Sequence, residues 1–225
     1  MAPAAPFRSR FSARWAALLL AGDIVLVAVF LIVAFRTGGD LPNLLDIEKQ
    51  DSIASSYIYA KWLAAAVALL IAAKRGAGEM TRSFGYIFLI ILFDDSLELH
   101  ERVGEWLATG LGVPALPGLR VEDSGELMIW ALWGVIAALL LFRGWRRDGP
   151  EGRRFGLILT GLIGLLAVFG ILGDMAHVMA ARGGMDDSAA AIILAAVEDG
   201  GELLVASLMV AFAIPRVPPK TRALP

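Results

Sequence analysis

The chain has 225 residues, of which 58% are apolar, and a mean hydropathy of +0.70. That exceeds the apolar share of a soluble domain, so a bilayer must solvate most of the surface. The net charge of −2 points to no partner class, and the absence of cysteine excludes disulfides, zinc-thiolate sites and thiol catalysis.

Six stretches are long enough, or nearly so, to cross roughly 30 Å of hydrocarbon at about 1.5 Å per residue: 15–35, 56–73, 84–107, 125–143, 155–180 and 188–214. All ten prolines fall outside them. The first follows Arg8, Arg10 and Arg14, is too long for a signal-peptide core and has no small-residue cleavage pattern, so it reads as retained. Asp23 within it reads as an interhelical hydrogen-bonding group. The acidic 36–55 connection is expected to hold a short amphipathic helix from Leu44 to Ile53. In the second stretch Lys61 is close enough to one end to snorkel or to act as an acid/base group.

The third stretch has an apolar run of only nine residues, Gly85 to Phe93. A continuous helix therefore carries Asp94, Glu98, Glu101 and Glu105 into the membrane as one stripe, with Arg102 able to pair with Glu98 and His100 about 120° away. The fourth opens with Glu122-Asp123-Ser124-Gly125-Glu126, and the fifth carries Asp174 and His177. Glycines at 156, 161, 164, 170 and 173 suggest close helix packing there. The sixth holds Glu198, Asp199 and Glu202 near its middle. Tyr57, Tyr59, Trp106, Trp130 and Trp133 read as interfacial belt residues.

Fourteen of the twenty Lys and Arg residues lie on alternate connections, around Arg8–Arg14, Lys74–Arg82, Arg143–Arg154 and Arg216–Arg222. That distribution places both termini on the cytoplasmic side. The Ala-, Gly- and Arg-rich composition points to a bacterial plasma membrane.

Val121 to Met128 recurs as Val197 to Leu204 with six identities in eight, offset by 76, and the same offset aligns Glu98 with Asp174 and Glu101 with His177. The expected fold is therefore all-α and polytopic, with six transmembrane helices forming a single membrane domain. Residues 1–83 form two peripheral spans, 84–143 and 155–214 form two repeated hairpins packed as a four-helix bundle, and 215–225 form a tail.

Such a bundle turns carboxylates toward one axis, as in soluble di-metal carboxylate bundles. Six ionised, unpaired acids at about 2.5–3.5 kcal/mol each would cost on the order of 15 kcal/mol in lipid, so protons or cations must accompany them. The expected ligands are Glu98, Glu101, Glu126, Asp174, His177, Glu198 and Glu202, with Asp95, Asp199 and Lys61 as acid/base groups. The expected cofactor is a divalent metal (Fe, Mn or Zn), mono- or dinuclear. The function expected from this set is a membrane metalloenzyme, an oxidoreductase or hydrolase, acting in the outer half of the bilayer on a lipid or other lipid-soluble molecule. The alternative is a cation- or proton-coupled transporter, for which six spans are few unless the chain forms a homodimer. Nothing in the sequence suggests nucleic-acid recognition.

Overall fold

A computed structural model describes residues 11–117, 119–180, 184 and 189–214. The described residues are mostly helical, with no strand among them. Helix α1 spans Ala13–Thr37, α2 Ile53–Lys74, α3 Glu79–Leu97, α4 Leu99–Leu111 and α5 Val121–Arg147. Then α6 (Pro150–Ala167) runs through a π-helical segment, Val168–Gly173, into α7 (Asp174–Ala180), and α8 spans Ala189–Ala213.

Polar residues set the ends. Ser12 and Ser52 accept hydrogen bonds from the Trp15 and Ser55 amides at the starts of α1 and α2. Asp148, between α5 and α6, accepts from the Glu79 and Met80 amides at 2.8 and 3.0 Å, so one connection caps the start of α3. Pro150 occupies the first turn of α6, where its missing N–H costs no helical bond.

Four helices are long and apolar enough to cross a membrane: α1, α2, α5 and the continuous Pro150–Ala180 stretch. Their outward faces carry large apolar side chains, among them Leu18 at 64% exposed, Leu139 at 64% and Leu157 at 61%, which water would penalise and lipid does not. Helices α3 and α8 are comparable in length, 19 and 25 residues, but carry the acids Asp94, Asp95, Glu198, Asp199 and Glu202. The core lies between α2, α3, α6 and α8, where Trp62, Phe84, Phe88, Phe155 and Met209 are almost fully buried.

Three expectations about local structure are corrected. The 84–107 stretch is not one helix: it breaks at Glu98, which sits at φ +51° in the left-handed region. The Asp95 carbonyl, which an unbroken helix would pair with the Leu99 amide, accepts from Gln50 Nε2 at 2.5 Å. Asp94, Glu98, Glu101 and Glu105 therefore do not share one face. Second, the 36–55 connection holds a single 3₁₀ turn, Asn43–Leu45, rather than an amphipathic helix, and Ile53 already belongs to α2. Third, Gly156, Gly170 and Gly173 serve close packing as expected, the first against Met80 and the other two against α8, whereas Gly161 and Gly164 face open space.

The break makes a sign prediction possible. A left-handed conformation costs a non-glycine residue about 1–2 kcal/mol, while the exposed Glu98–Arg102 pair contributes only about 0.3–0.5 kcal/mol. Glu98→Gly should therefore stabilise the protein by about 1 kcal/mol in unfolding titrations in micelles. A destabilised variant would mean that the Glu98 carboxylate does more than hold Arg102.

Candidate functional site

Below the cavity, α1, α2 and α8 meet at a buried polar knot. Lys61 donates to Asp23 and, at 3.0 Å, to the Leu203 carbonyl. Ser207 Oγ donates to the other Asp23 oxygen at 2.6 Å. The Lys61 ammonium also lies 4.2 Å from the centre of the Tyr57 ring, whose hydroxyl donates to the Leu19 carbonyl. Asp23 is thus the interhelical group expected of it. Lys61 differs from expectation: at 2% exposed it neither snorkels nor faces the acidic side chains, because Asp23 neutralises it within the helix interface.

Beside this knot a cavity of about 510 Å³ opens between the start of α2, the end of α3, α4, α5, the run from α6 through the π-helical segment into α7, and the middle of α8. Seven carboxylates line it: Glu48 from the α1–α2 connection, Asp95 from α3, Glu101 from α4, Asp174 from α7, and Glu198, Asp199 and Glu202 from α8. Both histidines line it too, and no lysine or arginine among the described residues does.

Several of these side chains are held by identifiable partners. His100 Nδ1 is 3.0 Å from Asp94 Oδ2, and the other Asp94 oxygen accepts from Trp133 Nε1 at 2.9 Å. The His100 ring packs on Trp130 with centroids 4.9 Å apart. Trp62 Nε1 donates to Asp95 at 3.2 Å, and Tyr59 donates to Gln50, which in turn reaches the Asp95 carbonyl. His177 Nδ1 lies 3.4 Å from Glu48 Oε1 and 3.6 Å from Glu198 Oε2. That Glu198 oxygen is buried and has no hydrogen-bond partner. Burial raises the Glu48 carboxyl above its ordinary range, against the opposing pull of His177.

Gly170 and Gly173 have a specific use here. The Glu202 carboxylate occupies the space where a Gly170 side chain would begin, and the Glu198 side chain approaches within 3.0 Å of the Cβ position at Gly173. The π-helical segment thus offers two notches, one turn apart, into which two α8 carboxylates fit. Another glycine pair, Gly104 on α4 and Gly125 on α5, brings those backbones together and holds the His100–Glu101 segment against α5.

The expected ligand set is divided. Glu101, Asp174, His177, Glu198 and Glu202 line the cavity, as do Asp95 and Asp199. Glu98 lies outside the lining, bound to Arg102 at 2.6 Å, and buried Glu126 is outside it as well. Asp123 caps α5, accepting from the Arg120 amide and guanidinium, and this pairing raises the Arg120 pKa further. Among the described residues no three His, Asp or Glu side chains are gathered as a group that could hold a metal ion, so a preassembled metal centre does not fit this arrangement. Tyr59, Trp130 and Trp133 line the cavity, while Trp106 is 70% exposed.

Fold and site together define a helical protein with membrane-length apolar helices around an acid-lined cavity. The sequence matches the family described as Domain of unknown function (DUF8692) over residues 15–215, and the chain belongs to that family. No curated protein and no solved structure matches it.

Proposed function

We propose that the protein is a six-span integral membrane protein that binds a cation in a cavity in the outer half of the bilayer. The observation that carries this reading is the charge imbalance of the cavity: seven carboxylates, two histidines, and no lysine or arginine among the described lining residues. Buried carboxylates need counter-charge or protons, and a cation that enters the cavity supplies it. The lysine and arginine distribution supports the orientation, with the cavity on the side opposite Arg75, Arg143, Arg147 and Arg153. Two repeated hairpins are supported by where the helices deform. Helix α3 breaks at Glu98, and the π-helical segment ends at Gly173, immediately before Asp174, the residue 76 positions after Glu98.

A divalent metal such as Fe, Mn or Zn is a second reading, favoured by His177 Nδ1 lying within 3.6 Å of two carboxylate oxygens. It requires a further ligand, such as Glu202 or Asp174, to move in. A metalloenzyme acting on a lipid-soluble molecule and a cation- or proton-coupled transporter both begin with this binding step, and flux in liposomes separates them.

The test is titration of the full chain in lipid nanodiscs with Mn²⁺ and with tetramethylammonium, following thermal stability. At least one cation should raise the unfolding temperature of the native protein, and Glu202→Gln should weaken that response at least tenfold. The response should fall as the pH is lowered, because protonation removes the attracting charge. For Glu48, which faces His177, Glu198, Asp46 and Lys49, that loss begins above the ordinary Glu value of about 4.3. A native protein indifferent to both cations at neutral pH would overturn the proposal.

A further inference from the structure

The cavity's dimensions and walls narrow the class of cation. A bare metal ion needs a compact shell of oxygen and nitrogen atoms at about 2.0–2.6 Å. The cavity instead measures about 510 Å³, within the roughly 300–1,000 Å³ typical of sites for small organic molecules. Part of its wall is aliphatic, formed by Ile58, Ile87, Ile91, Ile163 and Leu166. Such side chains offer a hydrated metal ion nothing, but they do bury methyl and methylene groups.

The second observation is aromatic. Trp62 from α2 and Trp130 and Trp133 from α5 line the cavity together with Tyr59. Two of the indoles are held in place, because Trp62 Nε1 donates to Asp95 and Trp133 Nε1 to Asp94. Trp62 also stacks on Phe88 and Trp130 packs on His100, so all three rings are fixed, and the negative face of a tryptophan is the preferred aromatic partner of an organic ammonium. Hydrogen bonding at the ring edge to a carboxylate increases the electron density of that face. Glu198 adds a buried carboxylate oxygen with no hydrogen-bond partner in the same cavity.

Resting on the cation-binding reading above, we infer that the cavity takes a small organic ammonium ion, its charge met by the α8 carboxylates and its alkyl groups by the tryptophans and isoleucines. The ion carries no phosphate close to its nitrogen. No lysine or arginine among the described lining residues would receive one, and any ionised carboxylate there would repel it. Phospholipid headgroups are thereby excluded, and the ligand is a free amine or quaternary ammonium compound.

Calorimetric titration of the full chain in nanodiscs tests this with tetramethylammonium, choline, phosphocholine and Mn²⁺. The expected result is saturable binding of tetramethylammonium and choline, with phosphocholine at least tenfold weaker. Trp130→Leu, which keeps apolar bulk but removes the π-face, should weaken ammonium binding at least tenfold. Trp130→Phe should recover part of the loss, which guards against misfolding as its cause. Mn²⁺ binding without ammonium binding would overturn this inference and leave the cation-binding reading intact. Failure of both would overturn both. Phosphocholine binding as tightly as choline, or Trp130→Leu binding ammonium as the native protein does, would also overturn the inference.

Discussion

Lys61→Met should destabilise the protein by about 3–5 kcal/mol, the largest single-residue effect expected outside the cavity. The substitution leaves Asp23 buried at 0% exposure with only Ser207 donating to it, and leaves the Leu203 carbonyl without its lysine donor. Removing one partner of a buried pair costs far more than the pair contributes, because the surviving charge keeps its desolvation penalty. The double variant Asp23→Leu/Lys61→Met should recover most of the loss, since an apolar pair of similar volume needs no counter-charge. Unfolding titrations in mixed micelles measure both. A single variant within about 1 kcal/mol of the native protein would show that Asp23 is already neutral without its lysine.

The second large effect is steric. A side chain at Gly125 would begin inside the Gly104 carbonyl and lie 3.0 Å from the Ala108 Cβ. The obstruction is backbone, so no rotamer change can relieve it. Gly125→Val should cost about 3 kcal/mol, the upper end of the usual overpacking range. It should also push α4 outward, carrying His100 and Glu101 off the cavity and weakening cation binding. Gly161→Val is the matched control, because nothing lies within 4 Å of that Cβ position and a helix interior favours valine over glycine. Equal stability of the two variants would mean that the α4–α5 contact is looser than described.

Hydropathy and proline placement located the helices well, because helix length and apolar continuity are local properties. Asp23 was legible for a related reason: a lone acid in an apolar helix must find a donor on another helix. Its actual donor was not legible. Lys61 stands 38 residues from Asp23 and about as far from Asp95, and only the packing of α1 against α2 and α8 decides between them. The acid stripe on 84–107 failed because a helical period extrapolates through a residue that leaves the helix, and glutamate at a positive φ gives no sequence warning of the kind glycine gives. The place of Trp130 and Trp133 in the cavity wall is not legible in the sequence, because an aromatic near a helix end looks the same whether it faces headgroups or a cavity. Gly170 and Gly173 were visible as small residues, yet what fills their space is a pair of carboxylates from α8, set by the rotation of one helix about its axis.

The two interrupted helices have a mechanical consequence. Regular hydrogen bonding resists bending along α3 and α6, and it lapses in each at the corresponding point: after Leu97 in one and through Val168–Gly173 in the other. The two breaks interrupt the hydrogen-bond ladders that would continue α3 into α4 and α6 into α7, so side-to-side packing sets the course of each short helix, for α4 the Gly104–Gly125 contact with α5.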